Sequence, residues 1–143
     1  VMTDLLEPRP DDVMLEIGTG LGYQAAVLGQ LVRRVWSVEI VEELAVEAAA
    51  RLRRLGYDNI GIHIGDGSLG WAEHAPYDKI IVTAAAKLVP PALLQQLKPG
   101  GRMVLPIALA EDQKLTVVEK DVAGRTHVRE VMSVRFGLLE TVR

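Results

Sequence analysis

The sequence predicts an α/β fold: a mostly parallel, open sheet with an antiparallel hairpin at its carboxyl-terminal end. Three observations carry that expectation. Short apolar runs alternate with helical stretches as far as Ile107, and a glycine-rich junction joins the first run to the first helix. Beyond Ile107 the helical pattern stops and two β-rich runs follow.

Each element has its own reason. Pro8-Arg9-Pro10-Asp11-Asp12 is a turn into Val13-Met14-Leu15-Glu16-Ile17, a short and mostly apolar run ended by glycines, as a buried parallel strand requires. Tyr23 to about Val32 reads as a helix, with Ala25, Ala26, Leu28 and Leu31 as its apolar content, and Val35 to Glu39 as a second strand ending in an acid. From Glu42 to Leu55 the helical signal is strongest, because Leu44, Ala45, Ala48, Leu52 and Leu55 share one face. Glu42 and Glu43 sit at the positive end of that helix dipole and Arg51, Arg53 and Arg54 at the negative end, with Gly56 as a left-handed stop. The arginines are matched by acids earlier on the same helix, so they read as a solvated face and not as a nucleic-acid contact.

Asn59 to Ile64 is a third strand and Tyr77 to Thr83 a fourth; Pro91 to Leu97 is a short helix with its proline in the first turn. Lys98-Pro99-Gly100-Gly101 turns into a fifth strand, Arg102 to Ile107. Lys114 to Lys120 and His127 to Phe136 pair as a hairpin around Asp121 to Gly124. Val1 to Leu6 reads as the end of an amphipathic helix already under way. The expectation is therefore a single domain over residues 1–143, the remainder of a longer protein.

Composition narrows the function classes. With 143 residues, 49% of them apolar, and no cysteine, the chain is neither a disulfide scaffold nor disordered. Sixteen basic against nineteen acidic residues leave no field to hold a polyanion, so nucleic acid is not an expected partner. No apolar run approaches the roughly 20 residues that span a bilayer, so no membrane association is expected either. The lack of cysteine makes the cytoplasm the expected location.

The chemistry concentrates at three successive strand ends. Glu16-Ile17-Gly18-Thr19-Gly20-Leu21-Gly22-Tyr23 lets the backbone turn tightly and approach a ligand, with a helix amino terminus facing it. In the dinucleotide pattern the third glycine follows the second by three residues and the loop cradles a pyrophosphate. Here the third follows by two, and Glu16 stands beside the loop. A carboxylate there suits a cationic group. Glu39 stands where doubly wound folds place the acceptor for ribose hydroxyls, and Asp66, in Gly65-Asp66-Gly67, can accept from an adenine amino group. Together they describe a pocket for a phosphate-free adenosine with a positive substituent, namely S-adenosylmethionine.

Other chemistries find little support. His63, His74 and His127 lack metal-ligand spacing, so no metal is expected. There is no Gly-x-Ser-x-Gly elbow. Trp71 packs either over the cofactor edge or in the core, and the sequence does not choose between them.

The chain resembles the protein-L-isoaspartate O-methyltransferase family. The resemblance is carried by Leu15-Glu16-Ile17-Gly18-Thr19-Gly20 with Gly22-Tyr23-Gln24-Ala25-Ala26, by Val38-Glu39, and by Gly65-Asp66-Gly67 with Gly70-Trp71. Ala75-Pro76-Tyr77-Asp78, Ile81-Val82-Thr83-Ala84-Ala85-Ala86 and Gln96 to Met103 extend it. The resemblance implies a Rossmann-like, S-adenosylmethionine-dependent methyltransferase fold. It also implies methyl transfer to the free carboxylate of L-isoaspartyl residues in damaged proteins, with isoaspartyl-containing proteins and peptides as partners. It assigns the cofactor to Glu16, Gly18, Thr19, Gly20, Gly22, Glu39, Asp66 and Gly67, and the substrate to Ala84, Ala85, Val134, Arg135 and Phe136.

Two departures qualify it. The family's amino-terminal segment, with a Ser or Thr hydroxyl that contacts the substrate carboxylate, would lie before Val1. Gly137-Leu138-Leu139 stands where the family commonly has Val-Pro-Leu. The alternatives are a non-catalytic or truncated S-adenosylmethionine-binding domain, or a methyltransferase for another carboxylate or small molecule; a dinucleotide oxidoreductase is more distant.

Overall fold

The computed structural model describes residues 2–110 and 112–139. Helix α1 (Met2–Leu6) leads into β1 (Val13–Ile17), α2 (Tyr23–Leu31), β2 (Arg34–Glu39), α3 (Glu42–Arg54) and β3 (Ile60–Ile64). Two short 3₁₀ turns, Gly67–Leu69 and Ala72–His74, stand between β3 and β4 (Tyr77–Val82). Then come α4 (Pro91–Gln96), β5 (Leu97–Leu109), β6 (Asp112–Lys120) and β7 (Thr126–Ser133). The strands form one sheet in the order β3-β2-β1-β4-β5-β6-β7, the first five parallel and the last two antiparallel. The strand order reverses at β1. That switch point opens a crevice at the carboxyl edge of the sheet, where ligands bind in such folds.

Alternation along each strand separates two cores. Leu15, Ile17, Val38, Ile80, Val82, Met103 and Leu105 face α4. Met14, Val35, Ile81, Val104 and Val117 face the other way, where Leu6 of α1 and Leu28 of α2 cover them. Ala25, Ala26 and Leu52 join α2 to α3. Both faces of the central strands are covered, which is why they read as continuous apolar runs.

Several boundaries differ from expectation for identifiable reasons. The expected turn at 98–101 lies inside β5, as an irregularity where its pairing with β4 shifts between Tyr77 and Lys79. Asn59 precedes β3, and its side-chain amide donates to the carbonyls of Gly29 and Val32 at 2.8 and 3.3 Å. Leu31 and Leu55 lie beyond the covered stripes and are exposed. The second arm of the hairpin ends at Ser133 and not at Phe136. Val1 and Glu140 to Arg143 of the expected domain lie outside the described residues.

Between β2, β3 and the 3₁₀ turns lies an aromatic cluster. Trp36 stacks on His74 with centroids 3.6 Å apart and meets Trp71 edge to face at 5.1 Å, while His63 stacks on Trp71 at 4.9 Å. Trp71 therefore belongs to the edge of the core.

Asp12 ties the start of the sheet together. Its Oδ2 accepts from the Arg9 N–H at 2.8 Å and from Lys79 Nζ at 3.1 Å, and its carbonyl accepts from Arg33 and Arg34 at 3.0 and 3.3 Å. Both side chains of the ion pair are nearly sealed from water. Removing one member of such a pair strands the other charge. Asp12→Ala should lower unfolding free energy by about 3 kcal/mol, and adding Lys79→Met should restore part of it. Denaturant titrations showing equal losses for the single and double variants would refute this account.

Candidate functional site

The glycine loop sits at the carboxyl end of β1, where it must reverse direction into α2 within five residues. Gly18, Gly20 and Gly22 all take positive φ, 97°, 54° and 92°. At Gly18 a Cβ would also collide with Thr83 Oγ1, which lies along the loop and donates to the Ile17 carbonyl at 3.0 Å. At Gly20 a Cβ would meet nothing within 4 Å. The loop thus presents bare backbone to open space at Gly20, as a cradle for a ligand requires.

Acids fasten it from below and from the side. Glu16 is fully buried, and its Oε1 accepts from the Ser37 hydroxyl at 2.6 Å. The single Ser37 proton is used there, so Thr19 Oγ1, 2.5 Å away, donates to Ser37. Glu16 Oε2 has no hydrogen-bond partner among the described residues. Burial is the main cause that pushes the Glu16 carboxyl up to about 8; the Ser37 hydrogen bond opposes it and the nearby Glu39 charge adds to it. Glu39 closes β2. Its Oε1 accepts from the Gly20 N–H at 2.8 Å and its Oε2 from the Val41 N–H at 3.0 Å. Outside the loop, Arg51 donates to the Leu21 carbonyl and lies over the Tyr23 ring, so this member of the expected solvated arginine face instead holds the loop.

Asp66 caps the first 3₁₀ turn, its Oδ1 accepting from Ser68 N–H at 2.9 Å and Ser68 Oγ at 2.7 Å. Gly67 is buried against Ile17, where a Cβ would collide with that side chain. Both therefore stand at the same edge as the loop. Beyond β4 runs the wall Thr83-Ala84-Ala85-Ala86. Three of its four backbone N–H groups are engaged. Thr83 donates to Ile17, Ala85 to Gly137 at 2.8 Å and Ala86 to Pro106 at 3.1 Å. The Ala85 carbonyl accepts from Leu139 at 2.8 Å, so residues 137–139 lie along the wall as an added short strand.

Val134, Arg135 and Phe136 lead into that strand. Gln113 grips them: its carbonyl accepts from Val134 at 3.0 Å, its Oε1 from the Phe136 N–H at 2.6 Å, and its Nε2 donates to the Phe136 carbonyl at 2.9 Å. Val134 packs into the core, whereas Arg135 is exposed. Sequence reasoning missed Gln113, Ser37 and Gln96, which spans Trp71 N–H and the Leu69 carbonyl. Ser37 had a signal, a hydroxyl inside an apolar strand opposite Glu16 in register. Gln113 had none.

A small apolar cavity of about 620 Å³ opens beside the wall, lined by Ala85, Ala86, Leu69, Leu88, Pro90 and Leu138 among others. Among the described residues, no three metal-ligating side chains gather. No described helix is long and apolar enough to cross a membrane.

The glycine loop at the switch point, its flanking acids and the strand order define the Rossmann-like fold of S-adenosylmethionine-dependent methyltransferases. Comparison narrows this further. The chain belongs to the protein-L-isoaspartate(D-aspartate) O-methyltransferase family, whose model matches residues 1–141. It is 59% identical over 140 residues to protein-L-isoaspartate O-methyltransferase 1 of Polaromonas sp., covering 98% of this chain and 59% of that protein. It is 56% identical over 137 residues to protein-L-isoaspartate O-methyltransferase 2 of Syntrophobacter fumaroxidans, covering 95% of this chain and 56% of that protein. The chain thus spans less than two thirds of the length of these curated relatives. A solved protein-L-isoaspartate O-methyltransferase superposes with TM-score 0.89 at 31% identity, over 96% of this chain and 44% of that one. A Plasmodium falciparum structure with S-adenosyl-L-homocysteine superposes with TM-score 0.79 at 22% identity, over 99% of this chain and 70% of that one, and speaks to the fold alone.

Glu16 makes stability depend on pH with a definite sign. Below the ordinary glutamate value near 4.5 the carboxyl is protonated whether the chain is folded or not, and its stabilising preference is fully present. As pH rises toward 8 the unfolded chain ionises first, and stability falls by an amount on the order of a few kcal/mol. Glu16→Gln cannot ionise and should remove this fall. Unfolding titrations at pH 5 and pH 8.5 check it; parallel pH dependence in both proteins would contradict the assignment.

Proposed function

We propose that the chain binds S-adenosylmethionine and directs methyl transfer to the free carboxylate of L-isoaspartyl residues in damaged proteins. The observation that carries this is the glycine loop, clamped by Glu39 and open above Gly20, set directly against an uncharged wall of small residues. Thr83 Oγ1 lies 3.0 Å from the Ile17 carbonyl and 3.2 Å from that of Gly18, so loop and wall are in contact.

The residues fit the cofactor. The carboxylate of Glu39 flanks the loop, which suits a cation and disfavours a pyrophosphate. Gly18, Thr19, Gly20 and Gly22 would hold its amino-acid portion, with Glu16 supporting them through Ser37 and Thr19. Glu39 has two oxygens engaged by one amide each, which leaves acceptor capacity for ribose hydroxyls. Asp66 and Gly67 would border the adenine. When bound, the cofactor supplies a methyl group on a positively charged sulfur.

What remains for the protein is alignment. A carboxylate is already anionic at neutral pH, so no general base is needed to make it a nucleophile. Ala84 and Ala85 would leave room for it, and Val134, Arg135 and Phe136 would border it. We place residues 1–143 in one methyltransferase domain and its action in the cytoplasm, in keeping with the cysteine-free composition.

Two measurements test the proposal. Calorimetry should show saturable S-adenosylmethionine binding that Glu39→Ala weakens by about 1–3 kcal/mol, because a hydrogen-bonded buried acceptor is lost. Well-folded protein that takes up no cofactor would sink the reading. In a radiolabelled methyl assay, an isoaspartyl peptide should be labelled in clear preference to its normal aspartyl twin. Equal labelling would instead favour a methyltransferase of another substrate class.

A further inference from the structure

The wall at Ala85 cannot recognise a polypeptide by adding it as a strand. Its N–H and carbonyl are taken by Gly137 and Leu139, so the chain's own backbone already occupies that edge. At that residue, recognition of what flanks the methyl acceptor falls to side chains. Ala85 is shared between the wall and the cavity of about 620 Å³, whose other lining includes Ala86, Pro90 and Pro91. Leu69, Leu88 and Leu138 line the same cavity while 65%, 62% and 63% exposed. Single exposed leucines are ordinary, but three converging on one opening are a binding feature.

The cavity also has a charge. Lys87 is the one charged side chain among its described lining residues, and it is exposed. Its ammonium makes no ion pair with a described residue, whereas Lys79, Lys98 and Lys114 each have a carboxylate partner. A cation with no carboxylate partner among the described residues, at the mouth of an apolar pocket, favours a ligand that is apolar where it enters and acidic beside it.

We propose that this cavity is a subsite for the polypeptide substrate. It takes the aliphatic side chain of a residue next to the isoaspartyl group, and Lys87 favours an acidic residue beside that side chain. The inference rests on the function proposed above and names the flanking sequence that the site selects.

Binding of short isoaspartyl peptides to the chain, with S-adenosylhomocysteine present to prevent turnover, tests it by fluorescence anisotropy. Leucine next to the isoaspartyl group should bind about tenfold tighter than glycine. A flanking glutamate should be favoured over lysine by about two- to fivefold, as an exposed charge pair allows. Lys87→Glu should reverse the second preference and leave the first, while Leu138→Ser, at an exposed position, should shrink the first and leave the second. The subsite is overturned if neither variant moves these preferences, or if the unaltered chain shows none, while isoaspartyl peptides are still bound over their aspartyl twins. Loss of that last discrimination in the unaltered chain overturns the function itself, and the subsite with it.

Discussion

Glu39 is the point on which the site's geometry depends. One carboxylate oxygen accepts from the Gly20 N–H and the other from the Val41 N–H, so a single side chain joins the glycine loop to the chain leaving β2. Three successive positive-φ glycines would otherwise give the loop more conformations than most sequences allow. The fastening converts that freedom into one shape. The hydroxyl relay from Thr19 through Ser37 to Glu16 fixes the same loop from beneath, and Arg51 holds the Leu21 carbonyl from outside. The loop is thus held on three sides and open on the fourth, above Gly20.

The two edges of the sheet show why cavity size alone does not locate chemistry. The larger cleft, about 900 Å³, lies at the amino ends of the parallel strands. Its charges are largely spent on one another: Lys79 on Asp12, and Arg102 on Glu7 and Glu119. Such pairs hold the fold together and leave little field for a ligand. At the carboxyl edge the cavity is smaller and apolar, and its cation has no described partner. Lys87 is what marks that edge.

The fold was largely legible because its signals are local. Apolar runs between glycines mark the parallel strands, and Glu42, Arg51 and Gly56 mark the ends of α3. What was legible of the candidate site was the residue type at each strand end, Gly18 after β1, Glu39 closing β2 and Asp66 after β3. The site was illegible where the partner is remote. Gln113 grips Phe136 across 23 residues, and Gln96 holds Trp71 across 25. Nothing in a glutamine's neighbours announces such a clamp. The strand that occupies Ala85 is remote in the same way, arriving from residues 137–139.

Burial of Glu16 resolves an electrostatic difficulty in the proposed reaction. Glu16, Glu39 and Asp66 stand at neighbouring strand ends, and three ionised carboxylates there would repel the substrate carboxylate as well as attract the cofactor. Burial raises the Glu16 carboxyl to about 8, so near neutral pH it is mostly protonated and contributes shape without charge. Glu39 keeps its place against two backbone amides, at the mouth of the loop. The negative field is then concentrated where a cation would lie, while Thr83 to Ala86 adds none on the acceptor's side. A bound sulfonium is a partner for the incoming carboxylate only when the protein's own acids do not outweigh it, and the depth at which Glu16 is buried keeps that balance.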